Sequence, residues 1–113
     1  SIDGQFYDYL EEFCTTLQKA NTREEILLRR PYTDEEEGRI YFRLKDFEAH
    51  LRKNKFFEYK SHKIAQRLRD RNGESTVMKI KGKAVRLWVI PAYDVVAIDI
   101  DTPDFGQDME APF

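Results

Sequence analysis

The stretch from residue 61 to residue 90, SHKIAQRLRDRNGESTVMKIKGKAVRLWVI, decides the fold that the sequence predicts. Its first third places apolar residues at three- and four-residue spacing, as on one side of an amphipathic helix. Ser61 is a favourable N-cap, and Asn72-Gly73 is a strong stop signal. The pattern therefore predicts a helix over residues 62–71 whose other faces are basic or polar.

The remainder of this stretch predicts a β-hairpin. Residues 76–81 and 84–90 alternate between apolar and polar side chains, and Gly82-Lys83 supplies the turn between them. The alternation directs one set of residues inward: Met78, Ile80, Val85, Leu87 and Val89. It directs the other set outward: Lys79, Lys81, Arg86 and Trp88. For Trp88 we expect either stacking on a base or packing under the first helix, and packing is favoured.

The first half of the chain predicts helices and short strands that complete this unit. An apolar stripe predicts a helix over residues 4–20 with Asp3 as its N-cap. Runs of β-forming residues predict short strands over 25–30 and 39–43, joined by an acidic turn, and a second stripe predicts a helix over 44–54. This order predicts an α+β fold, namely a winged helix-turn-helix with about three helices and a small antiparallel sheet that includes a two-stranded wing.

Charge is distributed in three blocks along the chain. Residues 39–90 carry fifteen basic and five acidic side chains, whereas residues 1–38 carry four basic and ten acidic ones. Residues 91–113 carry six acidic side chains and no Lys or Arg. A basic block between two acidic ones is typical of a nucleic-acid-binding surface, although ordinary solvated helix faces also use such residues.

The length of 113 residues suits one domain. We expect a single winged-helix domain over residues 1–100, with a further strand over 95–100, and an acidic tail over 101–113. The start at Ser1 without Met is typical of a domain taken from a longer protein. The sequence has one cysteine, no signal-peptide pattern and no apolar run of about 20 residues, so we expect a cytoplasmic protein of a bacterial or phage-infected cell.

The candidate nucleic-acid-binding residues lie on the predicted helix over residues 62–71 and on the predicted wing. Arg67 and Gln66 are predicted to contact base edges. Phosphate contacts are predicted from the helix residues Ser61, His62, Lys63 and Arg71, and from the wing residues Lys79, Lys81, Lys83 and Arg86. If six to eight of them contact phosphate, the logarithm of affinity should fall with the logarithm of salt at a slope of about −5 to −7.

No pattern of catalysis or metal binding stands out. The sequence lacks a phosphate-binding glycine loop, a nucleophile elbow and a zinc-ligand set, so we expect a non-enzymatic protein without cofactors. His50 and His62 have no companion ligands at metal spacing. Cys14 lies beside the apolar stripe of the first helix and is predicted to be buried. The acidic run over 34–37 is predicted to be a solvated turn.

The segment GRIYFRLKDFEAHLRKNKFFEYKSHKIAQRLRDRNGESTVMKIKGKAVRLWVIP, about half of the chain, resembles the winged-helix domain that ends some replicative primase-helicase proteins of phages and mobile elements. One shared feature is a start of β-formers followed by a helix: Tyr41, Phe42, Leu44, Phe47 and Leu51. The others are a Ser-capped helix that ends in Arg-Leu-Arg-Asp and a Lys-Gly wing that leads to Trp-Val-Ile-Pro. The resemblance implies a role in recruiting or orienting a replication machine on DNA.

The last ten residues, DFGQDMEAPF, are similar to the acidic tip of bacterial single-stranded-DNA-binding proteins, which also ends in Pro-Phe, although this sequence has fewer acids. The resemblance implies that Phe113 enters an apolar pocket of a partner replication protein while Asp108 and Glu110 meet its basic rim. An acidic tail could instead fold back on the basic domain and compete with nucleic acid.

Three functions are compatible with the sequence. The leading hypothesis is a non-enzymatic DNA-binding domain of a replication or mobile-element protein. A variant of it is single-stranded DNA binding, in which Trp88, Tyr59 and Tyr41 stack on bases. The alternative is a protein-protein interaction module in which the same fold docks an acidic partner.

Overall fold

The structure is a computed structural model that describes residues 1–93. Its elements in chain order are α1 (Ile2–Thr15), a 3-10 helix (Arg23–Leu28), β1 (Tyr32–Asp34), β2 (Arg39–Phe42), α2 (Leu44–Lys53), α3 (Ser61–Asp70), β3 (Glu74–Ile80) and β4 (Lys83–Pro91). The predicted α+β class is therefore confirmed, as are two neighbouring helices followed by a hairpin. No helix within residues 1–93 is long and apolar enough to cross a membrane.

Helix α1 starts earlier and ends earlier than predicted. The hydroxyl of Ser1 accepts a hydrogen bond from the N–H of Gly4 at 3.0 Å, so the prediction of Asp3 as the N-cap is wrong. Asp3 lies instead in the first turn, where a carboxylate is stabilised by the helix dipole. The helix ends at Thr15, and Leu17, the last residue of the predicted stripe, lies beyond it and is 41% exposed.

The four strands form one antiparallel sheet in the order β1-β2-β4-β3. Strand β4 is central, since it pairs with all of β2 on one side and with all of β3 on the other. Phe42 at the end of β2 lies opposite Trp88 of β4, and Val85, nearer the turn, pairs with Met78 of β3. The hairpin of β3 and β4 therefore extends beyond the end of β2.

The strand predicted over residues 25–30 is wrong. These residues lie mostly in the 3-10 helix, and the strand that pairs with β2 begins only after Pro31. The apolar run is too short to show a period, and the chain buries it on one side only: Ile26 is fully buried, whereas Leu28 is 57% exposed. The strand predicted over 39–43 is confirmed as β2.

Apolar side chains cover both faces of the sheet. Helices α1, α2 and α3 cover one face with an aromatic-rich core, in which Phe6 and Phe47 stack edge to face at 5.6 Å. The 3-10 helix covers the other face with a smaller cluster of Ile26, Ile80 and Leu87. A strand that is buried on both faces needs apolar residues at consecutive positions, and residues 87–90 of β4 are all buried.

This arrangement corrects the predicted orientation of the hairpin. Met78, Val85 and Leu87 share one face as predicted, but that face carries the smaller cluster rather than the helices. Trp88 points to the helical side, where it is 6% exposed and belongs to the main core. The prediction that Trp88 packs against the protein is confirmed. Its predicted outward direction is wrong, because the helices cover the face of the hairpin that the alternation predicted to be exposed.

Candidate nucleic-acid interface

The outer face of α3 carries three polar side chains at the spacing of one helix face. His62, Gln66 and Arg69 follow one another at intervals of four and three residues, and all three are exposed. The opposite side of α3 is anchored in the core by Ile64 and Leu68. The helix therefore presents this face away from the body of the domain.

Ser61 does not cap α3 as predicted. It is the first residue of the helix, Lys60 occupies the cap position, and no side chain caps the N-terminus. The hydroxyl of Ser61 donates instead to Oε2 of Glu48 on α2, at 2.9 Å. Lys63 lies two residues further along the helix, with its ammonium 5.6 Å from the ring centre of Tyr59. Ser61 thus helps to hold α3 against α2. The side chain of Lys63 is half-buried.

Arg67 joins α3 to the first helix. Its Nε lies 3.0 Å from Oδ1 of Asp3, and its Nη1 lies 3.0 Å from Oδ2 of Asp70. Its carbonyl oxygen accepts a hydrogen bond of 2.9 Å from the hydroxyl of Tyr7. We refer to Asp3, Tyr7, Arg67 and Asp70 as the α1–α3 seam. The hydrogen bond with Asp3 is the main reason that the pKa of Arg67 is raised. The positive charge of Arg67 therefore interacts with carboxylates of the same domain.

Arg71 also faces the body of the domain rather than the outer face of α3. Its guanidinium lies 4.5 Å from the ring centre of Tyr93, a cation–π distance. Burial raises the pKa of the Tyr93 hydroxyl, so the ring is neutral at physiological pH. The guanidinium groups of Arg67 and Arg71 are therefore engaged in contacts within the domain, whereas the side chains of His62 and Gln66 are exposed.

The hairpin carries a cluster of exposed cations. Lys79, Lys81, Lys83 and Arg86 are all exposed, and no carboxylate of residues 1–93 forms an ion pair with them. Arg86 donates a hydrogen bond of 3.1 Å to the hydroxyl of Ser75 on β3, which orients its guanidinium along the sheet. These four cations form the largest group of predicted binding residues that the structure leaves exposed, with Lys79 and Arg86 on one face of the hairpin, Lys83 on the other and Lys81 in the turn.

The turn of the hairpin falls one residue earlier than predicted. Ile80 pairs with Lys83, so the two turn residues are Lys81 and Gly82 rather than Gly82 and Lys83. Both have positive φ, 52° and 80°, as a type I′ turn requires. Lys81 thus adopts a left-handed conformation that costs a non-glycine residue free energy, and the turn places its side chain at the tip of the hairpin.

Arg69 and Lys45 were not among the predicted binding residues. The guanidinium of Arg69 lies 5.9 Å from the ring centre of Trp88, so this exposed side chain extends from α3 toward the hairpin. Lys45, in the first turn of α2, lines a depression together with Arg86. The signal for Arg69 was present in the sequence, since it continues the face of His62 and Gln66. For Lys45 the sequence gives no signal, because its proximity to β4 depends on the fold.

The aromatic residues proposed for base stacking are largely engaged. Trp88 is in the core, and the hydroxyl of the half-buried Tyr59 donates to Asp3. Tyr41 is half-buried, and its hydroxyl donates to Oε1 of Glu37 at 3.2 Å. Among large aromatic side chains of residues 1–93, Phe57 stands out as 68% exposed, and it lies in the connector between α2 and α3.

Cys14 and His50 have structural surroundings. Cys14 is buried as predicted, and burial raises the pKa of its thiol to about 12, which leaves little nucleophilic thiolate at neutral pH. Nε2 of His50 lies 3.0 Å from Oε1 of Glu12, and this pair joins α2 to α1. No group of three or more potential metal ligands occurs within residues 1–93.

The predicted strand over 95–100 and the tail residues Phe113, Asp108 and Glu110 lie outside the described residues.

Comparison of the chain with protein-family models, with curated protein sequences and with solved structures found no match. The function is therefore argued from the charges, the exposure and the contacts of this chain.

Proposed function

We propose that this chain is a non-enzymatic nucleic-acid-binding domain that contacts the backbone of duplex DNA through α3 and the hairpin. The observation that carries the proposal is a set of exposed or half-exposed cations that are not in ion pairs within residues 1–93: Lys63, Arg69, Lys79, Lys81, Lys83 and Arg86. Unpaired cations on neighbouring elements attract a polyanion, and each phosphate contact releases counterions.

The order of the elements supports a winged-helix arrangement. Helix α1, strand β2, helices α2 and α3, and then a hairpin follow one another as in that fold, and Arg69 of α3 lies 5.9 Å from the ring centre of Trp88 in the hairpin. In this arrangement the exposed face of α3 enters the major groove, where Gln66 and His62 would reach base edges. The hairpin would then contact the adjacent phosphates. Strand β1 and the 3-10 helix are additions to this plan.

Burial of the aromatic side chains favours duplex over single-stranded DNA. Binding of single strands depends on exposed rings on which successive bases stack. Trp88 is in the core, and Tyr59 and Tyr41 are half-buried with their hydroxyls bonded to Asp3 and Glu37, so the three rings expose less surface than stacking on successive bases requires. The duplex offers regularly spaced phosphates that the hairpin and α3 can contact without stacking.

The cellular role is proposed from the sequence resemblance. A domain of this kind within a replication or mobile-element protein would recruit or orient the replication machinery on DNA. Binding mainly to the phosphate backbone of DNA suits that task, because such a protein needs to bind DNA of many different base sequences.

An anisotropy titration of labelled duplex, forked and single-stranded DNA at about 50 and 200 mM salt tests the proposal. We expect duplex and forked DNA to bind more tightly than a single strand of the same length. With six contacts, the logarithm of affinity should fall with the logarithm of salt at a slope of about −5. Absence of binding to any of the three at about 50 mM salt would refute the proposal. Tighter binding of the single strand would refute the preference for duplex.

A further inference from the structure

Near the turn of the hairpin, one backbone edge of strand β4 has no strand partner within residues 1–93. In a two-residue hairpin, the residues that flank the turn exchange both hydrogen bonds, and hydrogen-bonded pairs then alternate along the strands. Lys83 and Val85 therefore bond to β3, whereas the N–H and C=O groups of Ala84 and Arg86 point to the other side. Strand β2 would cover that side, but it ends at Phe42, opposite Trp88. Two donors and two acceptors thus face outward without a partner in residues 1–93.

A groove runs along this free edge. Its wall opposite β4 is formed by Leu27 of the 3-10 helix and by Leu44 and Lys45 at the start of α2, and its volume is about 400 Å³. Leu27 supplies apolar surface on the face of the smaller cluster, whereas Leu44 and Lys45 lie on the face that the helices cover. Lys45 and Arg86 are exposed and form no ion pair within residues 1–93, so the groove is positively charged. The nearby Arg43 is neutralised by Asp46 at 2.7 Å.

We propose that this groove binds an extended acidic peptide of a partner protein, which adds to β4 as a strand in the line of β2. The N–H and C=O groups of Ala84 and Arg86 need a ligand with alternating donors and acceptors, and a peptide backbone in β conformation has them at the right spacing. Successive side chains of such a strand point to opposite faces, so apolar residues would pack on Leu27 and Val85 while acidic residues on the helical face meet Lys45 and Arg86.

The backbone edge distinguishes this ligand from nucleic acid. A phosphodiester has acceptors but no donors, so it could pair with the cations and would leave the two carbonyl oxygens of the edge unbonded. The groove is therefore a protein-docking site beside the nucleic-acid interface, and it goes beyond the proposed function. Arg86 borders both surfaces, whereas Lys45 belongs to the groove.

The test uses the full chain labelled with ¹⁵N and a capped seven-residue peptide of alternating Val and Glu. We expect saturable binding that shifts the amide resonances of Ala84 and Arg86 and slows their hydrogen exchange. Val85 is the internal control, because its N–H already bonds to β3 and its exchange should change much less. A peptide of the same composition with the Val and Glu residues in separate blocks should bind at least about tenfold more weakly, since it cannot place apolar and acidic side chains on opposite faces.

Two variations locate the contacts. A peptide N-methylated at alternate residues loses the backbone donors that the edge needs, so its affinity should fall at least about tenfold. Lys45→Glu should weaken binding of the unmodified peptide about fivefold or more by reversing one charge of the groove. Lys19→Glu, on the far side of the sheet next to β1, is the matched control and should leave it unchanged.

Equal binding of the block and N-methylated peptides, or unshifted amides of Ala84 and Arg86, would overturn the proposal, as would no binding at millimolar peptide. The titration contains no nucleic acid, so its failure is distinct from failure of the proposed DNA binding.

Discussion

The α1–α3 seam and the hairpin both contain predicted binding cations, but only the hairpin leaves them without an ion-pair partner in residues 1–93. At the seam, Arg67 lies between two carboxylates at 3.0 Å each. On the hairpin, four cations lie on a two-stranded element where residues 1–93 provide them with no ion-pair partner. A basic side chain therefore has different uses in the two regions: at the seam it stabilises the contact between two helices, and on the hairpin it can attract a polyanion.

The largest expected effect comes from removing the charges of the hairpin. The triple variant Lys79→Gln, Lys81→Gln and Lys83→Gln should reduce affinity for duplex DNA about 100-fold or more at 50 mM salt and flatten the salt slope by about 3. Anisotropy titrations at several salt concentrations measure both quantities. The control variant Lys19→Gln, Arg23→Gln and Arg29→Gln loses the same charge elsewhere, and its affinity should stay within a few-fold of the wild type. Equal losses in the two variants would show that only net charge matters.

Gly73 joins the two regions, because it links the end of α3 to β3. Its N–H donates to the carbonyl oxygen of Leu68 at 2.8 Å, and an added Cβ would lie 2.7 Å from that same oxygen. Gly73→Ala should therefore lower the free energy of unfolding by about 2 kcal/mol, as overpacking against backbone does. Urea denaturation measures the loss. Gly4→Ala, where the closest atom is the side-chain oxygen of Ser1 at 3.0 Å, should change stability by less than about 1 kcal/mol.

Tyr7→Phe tests the contribution of the α1–α3 seam to stability separately from DNA binding. The change removes the hydrogen bond from the Tyr7 hydroxyl to the carbonyl oxygen of Arg67 and should cost about 1 kcal/mol of stability. DNA affinity should not change, because the exposed cations stay in place. Tyr9→Phe is the matched control: Tyr9 is also half-buried, but its hydroxyl forms no hydrogen bond within residues 1–93, so stability should be nearly unchanged. A weaker complex with DNA for Tyr7→Phe would mean that the seam itself touches the ligand.

The smallest effect concerns the tip of the hairpin. Lys81→Asn places a residue that favours type I′ turns at a φ of 52°, and the free energy of unfolding should rise by about 0.5 kcal/mol. The same change removes one phosphate contact, so DNA affinity should fall while stability increases. Lys83→Gln removes a charge from the strand next to the turn, and it should lower affinity by a similar factor without the gain in stability. Thermal denaturation and anisotropy on the same samples separate the two responses.

The sequence predicted the elements that have long periodic patterns. The stripes of α2 and α3 and the alternation of the hairpin each contain several repeats, and these three elements formed close to their predicted bounds. The run Ile26 to Leu28 contains no repeat, and it forms a 3-10 helix because one buried residue is enough to anchor it. Alternation also shows which residues share a face, but it cannot show which face the helices will cover, and Trp88 was misdirected for that reason.

For the candidate site, the sequence predicted the charges of the hairpin better than those of α3. Side chains on a two-stranded hairpin are exposed wherever they face away from the cluster, so Lys79 and Lys81 follow from local pattern alone. Arg67 lies in an equally local pattern, but its carboxylate Asp3 is 64 residues away in the sequence. Partners at that distance cannot be found from spacing. Ser61 shows the same limit, since its hydroxyl bonds to Glu48 of a different helix.

Trp88 has a practical consequence for experiments. It is the only tryptophan in the sequence, it is 6% exposed, and it contacts the helical core while its ring lies 5.9 Å from the guanidinium of Arg69. Selective excitation of its indole therefore gives an emission spectrum from the junction of helices and hairpin. Detachment of the hairpin or of the helices would admit water to the ring and move the emission maximum to longer wavelength. The chain thus contains an intrinsic fluorescent reporter of whether the hairpin is packed against the helices.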